Sequence, residues 1–377
     1  LAYLLLVFMI PGLGMLVYFA LGINYRHQRS NSKAAWAQGE IDAFFKANVL
    51  NETERLAQEG RDEIAHFLPM TNFLQGLSNA YVFKSDFKLL VNGEEKFPEV
   101  LRSLEEAQHF IHLEYYAWEN DIRGNQIKDV LLKKAKEGVK VRALYDDYAS
   151  RKIKHNIVKE LRAGGVDIHP QIKVKLKQFA NRLNHRDHRK IIIIDGKCSF
   201  VGGINLSDRY DNSIDTGLYW RDTHVKISGP LTNSLQRHFI VSWNSSGAEP
   251  IPFSIELFPQ EIVKSNDGTS ALGQVVAGGP IYPKSNIMLS YVKIFSLATE
   301  KLYVTNPYFI PNETIMNALC QAAISGVDVR LMIPKKPDSA IVGAATKFYF
   351  TELLNAGVKI FLYKKGFVHA KTVVADS

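Results

Sequence analysis

A chain of 377 residues exceeds the usual single-domain length, so two units or one large pseudo-symmetric domain are expected. With 46% apolar and 22% charged residues it is neither a disordered nor a fibrous chain. The net charge of +8, from 46 basic and 38 acidic residues, suits an anionic partner, nucleic acid and acidic lipid alike. The two cysteines, Cys198 and Cys320, lie far apart and outside any metal-ligand spacing. They exclude a disulfide scaffold and a zinc site, and they fit a reducing compartment.

Residues 1–24, LAYLLLVFMIPGLGMLVYFALGIN, carry no charge, and about 20 apolar residues suffice to cross a bilayer core. Arg26, Arg29 and Lys33 follow, and the first acidic residue is Glu40. The segment is predicted to be a transmembrane anchor in the cell membrane, with the catalytic part on the cytoplasmic side. A signal peptide would carry its basic residues before the apolar run and small residues at a cleavage site, and neither is seen. Because the chain begins with Leu, an earlier segment is expected to precede it. Residues 25–85 read as a polar, partly helical connector without chemistry of its own.

From about residue 86, strands alternate with helices. Phe110–Tyr116 reads as a strand, Gly124–Glu137 as a helix and Val139–Tyr145 as a strand. Ile157–Ala163 is a helix stopped by Gly164 and Gly165, and Val166–Ile168 is a short strand. Lys190–Ile194 (KIIII) is too short for a helix and rich in β-branched residues, so it reads as a buried strand. The expected fold is α/β, with parallel strands under helices.

The order recurs. Glu137–Arg142 (EGVKVR) resembles Ser325–Arg330 (SGVDVR) at an offset of 188. Leu161–Ile168 (LRAGGVDI) resembles Leu353–Ile360 (LLNAGVKI) at an offset of 192, and Tyr116 and Tyr308 are separated by the same 192. An internal duplication follows, with the first repeat at 86–260 and the second at 261–377. Two similar halves set equivalent loops face to face across a pseudo-twofold axis, where a shared site would sit. Each half also carries H-x-K-x4-D, as His188, Lys190 and Asp195 and as His369, Lys371 and Asp376. In a strand, residues i and i+2 share a face, so each His and Lys point together into the cleft. Each Asp lies at the far end of its strand with the opposite parity, placed to brace a turn. One such match is weak, but two in corresponding places of a duplication are specific.

With these motifs the chain resembles the phospholipase D superfamily, from about residue 90 onward. The resemblance implies two pseudo-symmetric repeats, each a mixed sheet flanked by helices, and displacement at phosphorus in two steps without metal or cofactor. One histidine forms a phosphohistidine and the other serves as acid and base; the family's usual order gives His188 the first role and His369 the second. Lys190, Lys371 and the Asn205 amide would neutralise phosphate oxygens, and Gly202 and Gly203 would let backbone approach the phosphate. Trp220-Arg221-Asp222-Thr223-His224 matches a family segment whose acidic residue pairs with the first histidine, which gives Asp222 the task of orienting His188. The chain stops at Ser377, so the small-residue/Asn element of the second half and an acidic partner for His369 are expected to be missing.

Further segments resemble bacterial cardiolipin synthases: Ile10-Pro11-Gly12 with Gly14 and Tyr18, the run Asn306–Pro311 (NPYFIP), Lys336 with Asp338 and Ser339, and Phe350–Ile360 (FTELLNAGVKI). The resemblance implies an anionic phospholipid substrate, phosphatidylglycerol, two molecules of which give cardiolipin and glycerol. The alternatives are a phospholipase D-type hydrolase, a phosphatidylserine synthase-like transferase and, less favoured, a membrane-tethered nuclease. No stacking aromatics interleave with the basic residues, which argues against nucleic acid as partner. Lys173, Lys175, Lys177 and Arg182, set among Val174, Leu176, Phe179 and Leu183, read as a membrane-facing rim or a solvated basic face.

Overall fold

A computed structural model describes residues 67–173, 186–259, 268–279, 282 and 284–376, with 39–45 and a few isolated positions before them. Two mixed sheets organise the chain. The first has eight strands: β1 (Phe83–Val91), β2 (Phe110–Tyr115), β3 (Lys140–Tyr145), β4 (Asp167–Pro170), β5 (Lys190–Ile194), β6 (Cys198–Gly202), β8 (Thr223–Ser228) and β9 (Thr269–Gly273), in the order β4-β3-β2-β5-β6-β8-β1-β9. Strands β2, β3 and β4 are parallel, as the alternation with helices requires, and the remaining pairings are antiparallel. The second sheet has four strands, β10 (Lys301–Thr305), β11 (Asp328–Pro334), β12 (Lys359–Tyr363) and β14 (Thr372–Ala375), in the order β12-β11-β10-β14.

That order repeats β4-β3-β2-β5 strand for strand, with two parallel pairings followed by one antiparallel pairing. The duplication read from the sequence is thus a duplication of sheet topology. A two-stranded parallel ladder, β7 (Trp220–Arg221) with β13 (Phe367–Val368), ties the halves together beside the second histidine.

The isoleucine run of β5 is buried on both faces. Ile192 and Ile194 face a core with Phe97, Ile127 and Leu131, while Ile191 and Ile193 face one with Phe239, Ile240 and Trp243. Helix Ile122–Lys136 covers the first face and helix Thr232–Ser245 the second. In the second half, Leu302, Val304, Leu331 and Leu319 form one core.

The structure departs from the sequence reading in two places, and two further expectations lie outside the described residues. The strand Phe83–Val91 crosses the expected connector boundary at 85, and Ile41 and Phe45 of that connector lie in the second core, beside Phe258. The antiparallel strands β6 and β8 are joined without an α-helix and so escape the alternation signal, while β9, beyond the expected repeat boundary at 260, pairs with β1 of the first sheet. The predicted anchor at 1–24 falls almost wholly outside the described residues, as do 174–185 of the predicted basic rim. Among the described residues no helix is long and apolar enough to cross a membrane.

Candidate active site

Strand register places the two motifs. Lys190 opens β5 opposite Tyr115, and Thr372 opens β14 opposite Thr305, so both His–Lys pairs stand at the carboxyl ends of the parallel strands. His188 stands just before β5, and His369 and Lys371 lie between β13 and β14, so each motif straddles the start of its strand. His188 and Lys190 face the cleft, while Arg189 between them turns away to Glu114 (3.1 Å), Ser242 Oγ (2.5 Å) and the Gly278 carbonyl (3.0 Å). That buried ion pair fastens β5 to β2 and to helix Thr232–Ser245.

The halves match around each histidine. Tyr116 lies on the His188 ring at 4.4 Å between centroids, and Tyr308, its repeat mate, lies edge-on to His369 at 6.2 Å. Lys190 Nζ donates to the His188 carbonyl at 2.6 Å and Lys371 Nζ to the His369 carbonyl at 2.5 Å. Lys190 Nζ also lies 2.9 Å from His188 Nδ1. Desolvation and then the charge of Lys371 hold Lys190 down to about 7, while desolvation holds Lys371 down to about 8 against the nearby carboxylates Asp222 and Asp338. Desolvation, then Lys190, Lys371 and His369, hold His188 down to about 3. Its ring keeps an exposed edge that moderates the desolvation, and the direction still leaves a neutral imidazole at pH 7. Crowded cations beside the neutral His188 imidazole make a receptor for an anion such as a phosphodiester.

Asp195 and Asp376 take no place in the cleft. Asp195 accepts the backbone N–H groups of Gln108, His109 and Phe110, each at 2.8 Å. Asp376 accepts those of Thr299, Glu300 and Lys301 at 2.7–2.9 Å. Both sit at positive φ, 52° and 37°, at the turn ending the motif strand. Each carboxylate fixes the loop that starts the neighbouring strand, the bracing expected from parity.

Three expectations need correction. Asp222 does not orient His188. Its Oδ2 lies 2.6 Å from Nδ1 of His369, so the first repeat supplies the acidic partner that the second was expected to lack. The β7–β13 ladder is the cause, because the His369 N–H donates to the Arg221 carbonyl at 2.8 Å and brings the ring beside Asp222. The buried Asn205 side chain is committed to protein: its amide donates to Tyr210 Oη at 2.6 Å and its oxygen accepts from Ala117 N–H at 3.2 Å. Gly202 and Gly203 make room for side chains instead of a phosphate. A Cβ on Gly203 would lie 2.2 Å from Asp222 Oδ1, and one on Gly202 2.6 Å from the His224 ring.

Sequence reasoning missed several supports. Asn92, at φ 61°, accepts the Asp222 N–H at 2.9 Å and donates its own N–H to the Asp222 carbonyl at 3.0 Å. Tyr210, Trp220 and Phe367 wall the buried His369 ring at 5.6, 5.4 and 6.1 Å between centroids. Burial lowers the pKa of His369 and outweighs the Asp222 hydrogen bond that raises it. Asp146 and Asp338, 192 positions apart, bear on Lys190 and Lys371 respectively, and that offset was the one signal that could have found them.

Paired His–Lys motifs on twinned mixed sheets define a phospholipase D-like protein. The family model described as "Cardiolipin synthase, PLD-like domain" matches residues 100–243 and 291–377. A cardiolipin synthase of Geobacillus thermodenitrificans is 40% identical over 97% of this chain and 72% of its own length. The major cardiolipin synthase of Bacillus subtilis is 36% identical over all of this chain and 77% of its own. The phosphatidylserine synthase of Haemophilus influenzae, 15% identical, superposes with a TM-score of 0.56 over 81% of this chain and 80% of that one, which is a likeness of fold. The chain belongs to the cardiolipin synthase family of phospholipase D-like enzymes.

Proposed function

We propose that this chain is a phosphatidyltransferase that joins two phosphatidylglycerol molecules into cardiolipin and glycerol through a phosphohistidine. The observation that carries the reading is the pair of His–Lys motifs gathered at one cleft, in a chain 40% identical to a cardiolipin synthase. Nε2 of His188 attacks the phosphodiester of the first lipid. The P–O bond to glycerol breaks, and the glycerol oxygen takes a proton from His369. His369 then removes the proton from the hydroxyl of the second lipid, whose oxygen attacks the phosphohistidine and frees His188.

The Asp222 contact supports this division of labour. A carboxylate at 2.6 Å stabilises the imidazolium from which an acid must start, while His188, crowded by Lys190 and Lys371, stays neutral. In the Lys190–His188 contact an amine held near 7 can accept Nδ1–H, which leaves the Nε2 lone pair free toward the cleft. Lys371 takes up the charge on the non-bridging oxygens, joined by Lys190 in its protonated form. Residues 1–24 would tether the catalytic part to the cytoplasmic face of the cell membrane.

Incubation with phosphatidylglycerol vesicles and lipid chromatography test the reading. Cardiolipin with equimolar glycerol is the expected product, and His188→Ala and His369→Ala should each lower the rate at least about 1000-fold. Phosphatidic acid as the main product would make the enzyme a hydrolase. Cleavage of single-stranded DNA with unchanged lipid would make it a nuclease.

A further inference from the structure

The helix Ala340–Phe348 follows β11 at the carboxyl end of the second sheet, so it stands on the same side as the two motifs. Its sequence, AIVGAATKF, exposes Ile341 at 83% and Phe348 at 81%, and Ala344 between them is exposed as well. Positions 341, 344 and 348 fall on one helical face, so the stripe is a continuous apolar ridge turned to solvent. Cations surround it: Lys335 and Lys336 in the loop before the helix and Lys347 in its last turn, all exposed. The loop's acidic residue, Asp338, is engaged by Tyr308 Oη at 2.6 Å, and the Tyr308 ring lies against His369. The ridge is therefore one tyrosine away from the candidate acid/base.

The repeat-related segment at 146–156 has the same chemistry at the other side of the cleft. Tyr148 is 43% exposed, Arg151 and Arg186 lie over its ring at 5.2 and 4.7 Å, and Lys152 is exposed beside it. The repeat-related segment thus adds one half-exposed aromatic ring capped by cations to the apolar ridge of 340–348. Apolar side chains at the level of basic ones are what an anionic lipid surface accepts, the first entering the acyl boundary and the second meeting headgroups.

We infer that these two segments, 335–348 above all, are the surface by which the cleft seats on an anionic bilayer, with Ile341 and Phe348 inserted among the acyl chains. The inference rests on the reading of a bilayer lipid as substrate and adds where and how that lipid is met. A seated mouth admits the headgroup laterally and excludes water, the competing acceptor for the phosphohistidine.

The test uses the whole protein carrying Phe348→Trp, read as the emission added over the unchanged protein, with Ile324→Trp as control. Ile324 is 74% exposed at the amino end of β11, on the side away from the cleft. Phosphatidylglycerol vesicles should shift the emission added by Phe348→Trp to the blue, and brominated acyl chains should quench it. Phosphatidylcholine vesicles should give a weaker response, and the Ile324→Trp control none with either lipid. Ile341→Asp and Phe348→Asp should each weaken productive binding of vesicular phosphatidylglycerol about tenfold or more, with the change on KM rather than kcat. An unshifted Phe348→Trp emission on phosphatidylglycerol vesicles overturns the inference. So does a blue emission before lipid is added, which would mean that a protein segment or a second copy already covers the ridge. The fluorescence needs no turnover, so loss of the transferase reading and loss of this surface are separate outcomes.

Discussion

At the residue scale the telling contact is Asp222 with His369, because it joins groups from different repeats. Its geometry is locked from three sides. Asn92 clamps the backbone of Asp222, Thr223 N–H donates to its other carboxylate oxygen at 2.7 Å, and Gly203 leaves it room. Asp222→Asn would present a neutral partner that cannot support an imidazolium. It should lower kcat by about 100- to 10,000-fold with little change in the thermal midpoint, as circular dichroism and steady-state kinetics would check. A fall in kcat below about threefold would leave Asp222 a structural residue only.

At the element scale each motif strand is held by the carboxylate at its end. Asp195 gathers three backbone N–H groups of the loop that begins β2, the strand paired with its own. Asp376 does the same for β10, and despite its desolvation the N–H donors of Lys301, Glu300 and Thr299 hold its carboxyl below the usual range. Removing such an acceptor frees the loop and leaves the half-buried Phe110 N–H without its partner. Asp195→Ala should therefore destabilise by about 2–4 kcal/mol in urea unfolding, with Asp195→Asn in between. The phosphatidyl-transfer rate per folded molecule should change little if bracing is all that Asp195 does.

At the scale of the whole molecule the first repeat stores several ionisable groups in neutral form. His112 is held down to about 3 by burial, and burial drives His224 and His238 well below their ordinary value. The amine of Lys96, packed on the Phe97 ring at 4.0 Å, is likewise pushed far down by desolvation. Below about pH 6.5 the unfolded chain protonates the three histidines and the folded chain does not, so stability falls as pH falls toward their folded values. Glu114, raised well above its ordinary value by burial, acts in the opposite sense and offsets part of this. The expected net is at least one proton taken up on unfolding, a loss of about 1.4 kcal/mol per pH unit between roughly pH 6.5 and 5. Chemical denaturation at several pH values would check it, and stability flat over that window would refute it.

The sequence by itself determined the local and the repeated. The isoleucine run of β5, the helix Ile157–Ala163 and the offset of 192 were legible because periodicity, β-branching and glycine stops act within a few residues. Lys190–Ile194 and Ile157–Ala163 match their predicted bounds, and the two His–Lys pairs were legible as a repeated motif, although His188, His369 and Lys371 lie just outside the strands. Strands β6 and β8 were not read, since antiparallel strands joined without a helix leave no alternation to detect, and β9 follows its helix only after a long connection. Only the tertiary structure decided which carboxylate serves which histidine. The Asp222–His369 pair spans 147 positions and exists because β7 and β13 meet in one ladder. Asn205 and the two glycines were assigned to phosphate because their types suit it, yet packing gave them to Tyr210, His224 and Asp222. Composition states what a residue can bind; the fold, by filling the space around it first, decides what it does bind.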